Sequence, residues 1–173
     1  MIFEEKTISS EIVYEGPVFR IRKHMVETVN GGESARDIVE HSGGSILVAI
    51  TDEGKVVMER QYRKAFEKAL FELPAGKADP GEIPDVTAVR ELQEETGYTC
   101  EDWEHILTLP AEATVSEDFV HLYRAKNCRK VSGQTLDDME FLHVELHTAE
   151  EIDQLIREGR FQQISHVAAW RLL

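Results

Sequence analysis

The spacing of hydrophobic and polar positions changes several times along this chain. Through the first forty-odd residues, Val, Ile and Phe recur in short runs (11–14, 18–29 and 34–41) punctuated by Gly16-Pro17 and Asn30-Gly31-Gly32. Runs of this kind bounded by turn residues predict strands, and Asn-Gly between two of them predicts a hairpin. Gly43-Gly44 then precedes a strongly apolar run, 45–50, which is followed by the turn Asp52-Glu53-Gly54 and a second run, 55–60. Those two read as core strands joined by a hairpin. Residues 65–73 lead through Pro74 into a Gly-, Asp- and Pro-rich stretch, 76–81, which must be loop. Residues 84–96 carry a helical signature: Pro84 suits the first helical position, Asp85 favours the dipole, and Gly97 suits the stop. Strand-like runs return at 103–109, 119–125 and 141–146, and helical apolar spacing at 149–157 and 164–173. Strands on both sides of one central helix, with helices at the end, predict a mixed α/β sandwich of the α+β type, preceded by an N-terminal antiparallel β segment.

The length of 173 residues fits one domain with a real core. A net charge of −14 argues against binding nucleic acid through a broad basic face, because that mode depends on neutralising phosphates. A phosphate-bearing small molecule stays possible if cations intervene locally. No apolar run reaches the length of a membrane span, and the start, MIFEEKTISSE, carries early acids and no apolar core, so a cytoplasmic protein is expected, with no membrane partner. Cys100 and Cys128 show no metal-ligand pairing, and two reduced thiols are the expected state.

Candidate chemistry is concentrated around the central helix. At 100° per residue, with Val86 at 0°, Glu94 falls at about 80°, Glu91 at about 140° and Glu95 at about 180°. Leu92 and Val89 fall on the other side, so three carboxylates share a face and aliphatic residues seat the helix on the sheet. Such a cluster is either a solvated acidic face or a site for a hard divalent cation; helix geometry alone leaves both open.

The residues around it resolve the choice. Gly76, Glu82, Arg90, Glu91, Leu92, Glu94, Glu95, Gly97 and Tyr98 fall at the spacing G-x5-E-x7-R-E-U-x-E-E-x-G-U, where U is bulky and apolar. This resembles the Nudix box, with Tyr98 a slightly loose fit at the last position. The chain as a whole, including Phe71-Glu-Leu-Pro-Ala-Gly76, is similar to the ADP-ribose and nucleotide-sugar branch of that family. The resemblance implies a Nudix α/β/α sandwich with a mixed sheet over 43–173. It also implies an N-terminal segment, 1–42, that exchanges between subunits of a homodimer and completes the partner's site. The activity implied is Mg²⁺-dependent cleavage of a nucleoside diphosphate sugar to nucleoside monophosphate and sugar phosphate, with Mn²⁺ as a substitute. The alternatives are a housecleaning Nudix enzyme on other nucleotides and a non-catalytic nucleotide sensor.

Roles transfer by position. Glu91, Glu94 and Glu95 would bind the metal, with the Ala75 carbonyl as a further ligand and Glu82 a more distant one. Arg90 would orient the helix glutamates through charge-assisted hydrogen bonds, or else pair with Glu94 alone. The general base is a box glutamate or an acid on the later loop 133–140, where Asp137 and Glu140 stand. Arg63 and Arg36 match positions that contact substrate phosphates, surface salt bridges being the alternative for each. Phe19 either stacks a base or packs in the core. The branch usually has a Pro-Ser-Pro-Gly-like turn followed by a glutamate; here Pro110-Ala-Glu-Ala-Thr114 precedes Glu117, which leaves the sugar and base open.

Overall fold

A computed structural model describes residues 3–79 and 81–173. The first two residues, and Pro80 within the loop expected over 76–81, lie outside the described residues.

The chain forms two compact units. The first runs up to Gly43 and also takes in Pro110–Phe119. Its sheet is three antiparallel strands, β1 (Lys6–Glu15), β2 (Arg20–Glu27) and β3 (Glu33–Glu40), in that spatial order. The Asn30-Gly31-Gly32 turn joins β2 to β3, with the Thr28 carbonyl accepting from the Gly31 N–H at 2.8 Å. Pro110–Phe119 lies beside β3, the Val39 N–H donating to the Val115 carbonyl at 2.7 Å. Glu40 receives both Arg20 and Arg22.

The second unit, Gly44–Leu109 with Val120–Leu173, holds a mixed sheet and the three α-helices of the described residues. Its strands are β4 (Gly44–Thr51), β5 (Val56–Arg63), β6 (Lys68–Glu72), the short β7 (Ala75–Gly76) and β8 (Tyr98–Thr99), β9 (Asp102–Pro110), β10 (Phe119–Lys130) and β11 (Leu142–His147). The order β11-β5-β4-β10-β8 forms the main path, with β4 and β10 parallel at its centre. β6 adds to β5, β7 to β4 and β9 to β10.

Alternation along the central strands explains the layers. Ile46 and Val48 of β4 point one way and pack, with Val56, Met58 and Leu122, against Ile152 and Leu155 of α2 (Ala149–Arg157) and Ala169 of α3 (Ile164–Arg171). Leu47 and Ala49 point the other way and pack, with Val57, Tyr123 and Ala125, against Ala88 and Leu92 of α1 (Pro84–Thr96). A strand apolar on both faces needs cover on both, which is why β4 reads as a continuous apolar run. This is the α/β/α sandwich with a mixed sheet.

Helix α1 spans the residues expected of it, with Pro84 in its first turn. Gly97 ends it at φ 75°, and a Cβ there would meet the Ser132 carbonyl oxygen at 2.3 Å, so only glycine fits. The helix is rotated relative to the simple wheel. Glu95 lies on the buried side beside Leu92, whereas Val86 is exposed. Thr148 opens α2 with a full capping box through Glu151. Cys100 and Cys128 are both buried and free.

Candidate active site

Strand β5 puts Glu59, Gln61 and Arg63 on one side, since alternate residues of a strand share a face. Antiparallel pairing sets Glu72 of β6 opposite Glu59. The turn after β6 brings Ala75 and Gly76 back against β4, beneath the carboxylate side of α1. A pocket of about 530 Å³ opens there, lined by Gln61, Arg63, Ala75, Gly76, Lys77, Asp79, Arg90, Glu91, Glu94, Glu95, Thr135, Asp137 and Glu140.

The loop carrying Asp137 and Glu140 is fastened to the end of α1. The Thr135 N–H donates to the Glu94 carbonyl and the Gln134 side-chain amide to the Glu95 carbonyl, both at 2.8 Å. These are backbone acceptors that a helix C-terminus leaves without intrahelical partners. A polar loop of little apolar content is thereby held against the box.

Within the pocket the charges are arranged in two tiers. Arg90 forms the upper one: its guanidinium donates to both oxygens of Glu82 at 2.9 Å, to Glu94 at 2.8 Å and to the Lys77 carbonyl at 3.1 Å, and it pairs with Glu91 at 3.1 Å. Glu82 also accepts from the Asp79 N–H and the Thr87 hydroxyl, and Arg90 holds its carboxyl down near 2. Its oxygens are therefore fully engaged in fixing Arg90.

The lower tier is buried. Glu95 accepts from the Ala75 N–H at 3.0 Å and is almost fully covered. Burial, and then the neighbouring Glu59, push its carboxyl far above the usual carboxylate range. Burial and Glu72 raise Glu59 in the same way. Burial raises Glu91 as well, against the opposing pull of Arg90. Glu140 lines the same pocket, and its negative charge adds to the upward push on Glu59, Glu91 and Glu95. Arg63 donates to both oxygens of the buried Glu72, at 2.7 and 2.5 Å, while its guanidinium stays part-exposed at the pocket wall.

These residues fit a divalent cation. Glu59 Oε1 is buried without a hydrogen-bond partner. Carboxylate oxygens that repel one another in a covered site are the donor set that hard divalent ions select. Among the described residues, no three such side chains already converge as a closed ligand shell. Glu91 and Glu94 are turned to Arg90, the cation that the protein itself supplies.

Arg63, Arg90, Glu91, Glu94, Glu95, Ala75, Asp137 and Glu140 thus come together, and Glu82 supports them from beneath Arg90. Arg36, Phe19 and Glu117 belong to the first unit. Arg36 is held by Glu5 and the Ser34 hydroxyl. Phe19 packs on Tyr14 with ring centres 5.4 Å apart, and lines a pocket of about 460 Å³ with Arg20, Glu40, His41 and Glu117. Sequence reasoning missed Glu59, Glu72 and Gln61. The available signal was an acid inside each apolar strand, Val57-Met-Glu59 and Leu70-Phe-Glu72, where an outward position is not available.

Comparison with known proteins agrees with this geometry. The NUDIX domain family matches residues 41–168. The chain is 42% identical over 173 residues to a methanol dehydrogenase activator of Bacillus methanolicus, covering 99% of this chain and 94% of that protein. It is 39% identical over 154 residues to an ADP-ribose pyrophosphatase of Bacillus subtilis, covering 88% of this chain and 83% of that one. The crystal structure of an ADP compounds hydrolase shares the fold, with a TM-score of 0.85 over 98% of this chain and 91% of that chain at 21% identity. This chain belongs to the Nudix family of hydrolases, enzymes that act on phosphorus-containing anhydrides and generally need a divalent metal. No described helix is long and apolar enough to cross a membrane.

Proposed function

We propose that the protein is a Mg²⁺-dependent pyrophosphohydrolase that cleaves a nucleoside diphosphate sugar of the ADP-ribose type to nucleoside monophosphate and sugar phosphate, with Mn²⁺ able to substitute. The observation that carries this reading is the single pocket in which Arg63 stands at the rim of the carboxylates Glu91, Glu94, Glu95 and Glu140. Six carboxylates line it (Asp79, Glu91, Glu94, Glu95, Asp137 and Glu140) against three cations (Lys77, Arg63 and Arg90), so a diphosphate enters only with added positive charge.

Glu91, Glu94 and Glu95 would hold the metal, with Ala75 at the same wall. The ion they hold would supply positive charge to offset the diphosphate and would lower the pKa of the attacking water. Arg90, fixed by Glu82, keeps Glu91 and Glu94 in place and acts as a positioning residue. Arg63, oriented by Glu72, presents its remaining donors to the phosphates. Glu140, whose charge acts on the clustered glutamates, takes the proton of the attacking water; Asp137 is the other acid of the same loop that lines the pocket. In the first unit, β1 is exposed along its length, with Ile8, Ile12, Val13 and Tyr14 uncovered. That surface supports a homodimer in which Phe19, Glu117 and Arg36 serve the partner's substrate.

The test is product analysis of ADP-ribose, ADP-glucose, GDP-mannose, UDP-glucose, NADH and a nucleoside triphosphate with Mg²⁺, alongside Glu95→Gln. One diphosphate sugar turning over to monophosphate plus sugar phosphate, with loss in Glu95→Gln, supports the reading. Tight binding without turnover makes the protein a nucleotide sensor, and turnover of the triphosphate alone a housecleaning enzyme. A second reading is favoured by the 42% identity that runs almost end to end with the methanol dehydrogenase activator. In that case the protein, but not Glu95→Gln, raises the turnover of a methanol dehydrogenase mixed with it.

A further inference from the structure

The reaction uses one face of β5 and β6, and the opposite face carries a second pocket that it leaves unused. Arg60 points away from Glu59 and Gln61 and stands across from Phe71 of β6. The turn after α2 closes over them, leaving a pocket of about 330 Å³ lined by Arg60, Lys68, Leu70, Phe71, Gly159 and Arg160. Its lining contains three cations and no carboxylate. In a chain with 33 acidic and 19 basic residues, that local excess of positive charge opposes the protein's overall bias.

The cations converge. The guanidinium carbons of Arg60 and Arg160 lie 5.9 and 5.1 Å from the centre of the same Phe71 ring. Both are only loosely neutralised, Arg60 by Glu145 at 3.5 Å and Arg160 by Glu158 at 3.4 Å, whereas Arg63 and Arg90 grip their carboxylates at 2.5 to 3.1 Å. Each guanidinium carries five N–H donors, so most of theirs stay available. Lys68 Nζ reaches the Gln162 side-chain oxygen at 2.6 Å once that amide is turned with its nitrogen toward the Gly159 carbonyl, which fixes the ammonium at the pocket's edge.

We infer that this pocket is a binding site for a small phosphomonoester dianion, separate from the catalytic pocket. Two guanidinium forks and one ammonium match a group that carries about two negative charges and three acceptor oxygens. Ala69 and Phe71, on the same face of β6, supply an apolar wall for the attached carbon skeleton. A polyanion is disfavoured, because Glu145 and Glu158 border the pocket and the surrounding surface is acidic. The site does not depend on which diphosphate the enzyme cleaves.

The test is a titration of the ¹⁵N-labelled protein with inorganic phosphate in EDTA at constant ionic strength, so that the catalytic carboxylates have no metal to recruit the anion. Saturable shifts are expected at the Gly159 and Arg160 amides, and chloride should not reproduce them. Arg60→Gln with Arg160→Gln weakens binding by at least about tenfold, since two charge-assisted contacts are lost, while Arg63→Gln leaves it intact. Lys68→Gln, on an exposed side chain, gives a smaller loss of about threefold and keeps the test open if the double variant does not fold. Shifts confined to residues around Gly76 and Arg63, linear non-saturating shifts, or unchanged affinity in the folded variants overturn the proposal.

Discussion

The carboxylate of Glu91 lies directly over Gly76: a Cβ built on Gly76 would stand 1.9 Å from Glu91 Cδ and 2.0 Å from Oε1. No side chain, however small, fits at 76 while Glu91 keeps its place, so the glycine at the head of the box is a steric requirement of the carboxylate fifteen residues later. Gly76→Ala is expected to push Glu91 aside with little cost to the fold, because the three nearest atoms its Cβ would meet all belong to the Glu91 side chain. A misplacement on the scale of 1 Å costs on the order of 100-fold in rate. Steady-state kinetics with Mg²⁺, beside a melting curve, check this; full activity in the variant would show that Glu91 is dispensable where it stands.

Glu95 is held against its own chemistry. A carboxylate buried beside Glu59 destabilises the metal-free protein and becomes favourable only when a cation joins it. Glu95→Gln is therefore expected to melt at or above the wild-type temperature without metal. It should lose most of the stabilisation that millimolar Mg²⁺ gives the wild type, and on the order of 10³ in turnover. Parallel melting curves with and without Mg²⁺ decide it; equal stabilisation of both proteins by the metal would remove Glu95 from the site.

Arg63 serves two masters, the buried Glu72 behind it and the pocket in front. Removing it by Arg63→Ala leaves the covered Glu72 without its partner, which costs up to about 3 kcal/mol of stability as well as substrate affinity. That is the low end for a buried pair, because the guanidinium is part-exposed. Adding Glu72→Gln should restore much of the stability and none of the affinity. Urea unfolding of the single and double variants, set against KM, separates the two duties; an Arg63→Ala protein as stable as wild type would mean that the pair contributes nothing to folding.

The two acids of the loop 133–140 are distinguishable. Glu140 exerts its field on three of the clustered glutamates, whereas Asp137 only lines the pocket. Glu140→Gln is expected to lower kcat by about 10² or more and Asp137→Asn by less than about tenfold. The reverse order would move the general base to Asp137.

Much of this was legible in the residue pattern, and for definite reasons. The box helix could be read to the residue because Pro84 and Gly97 are hard stops at each end, the strand 45–50 because both its faces are apolar, and 55–60 from Val56-Val57-Met58 after the Asp52-Glu53-Gly54 turn. The β2–β3 hairpin was also visible, since Asn30-Gly31 fixes its turn, whereas only 11–14 of β1 stood out. The rotation of α1 was not, because the wheel places Glu95 with the polar residues while packing buries it beside Leu92. Nor could pairing be read: the parallel contact of β4 with β10 joins residues more than seventy positions apart. Glu59 and Glu72 were passed over because each sits in an apolar strand, and their cost makes sense only once Arg63 and Glu95 are seen beside them.

His166 gives the chain an acid-labile point behind the Arg63–Glu72 pair, both of whose charges act on it. Its ring is buried, Nδ1 accepts the Leu73 N–H at 3.0 Å, and burial holds its pKa down to about 4 against an ordinary 6.5. The native state therefore refuses a proton that the unfolded chain accepts between those two values. Its contribution is fully present above about pH 6.5 and declines as the pH falls toward 4, because the unfolded state binds more protons throughout that window. By pH 5 the loss amounts to about 2 kcal/mol relative to pH 7. His166→Gln keeps an acceptor for Leu73 without the titration, so its urea-unfolding free energy should fall by about 2 kcal/mol less than the wild type's over the same interval. Comparing the two proteins cancels the carboxylates, raised ones such as Glu95 and lowered ones such as Glu82 alike. Parallel pH profiles would show that the ring stays uncoupled from folding, and that water or a shift of α3 admits its proton at little cost.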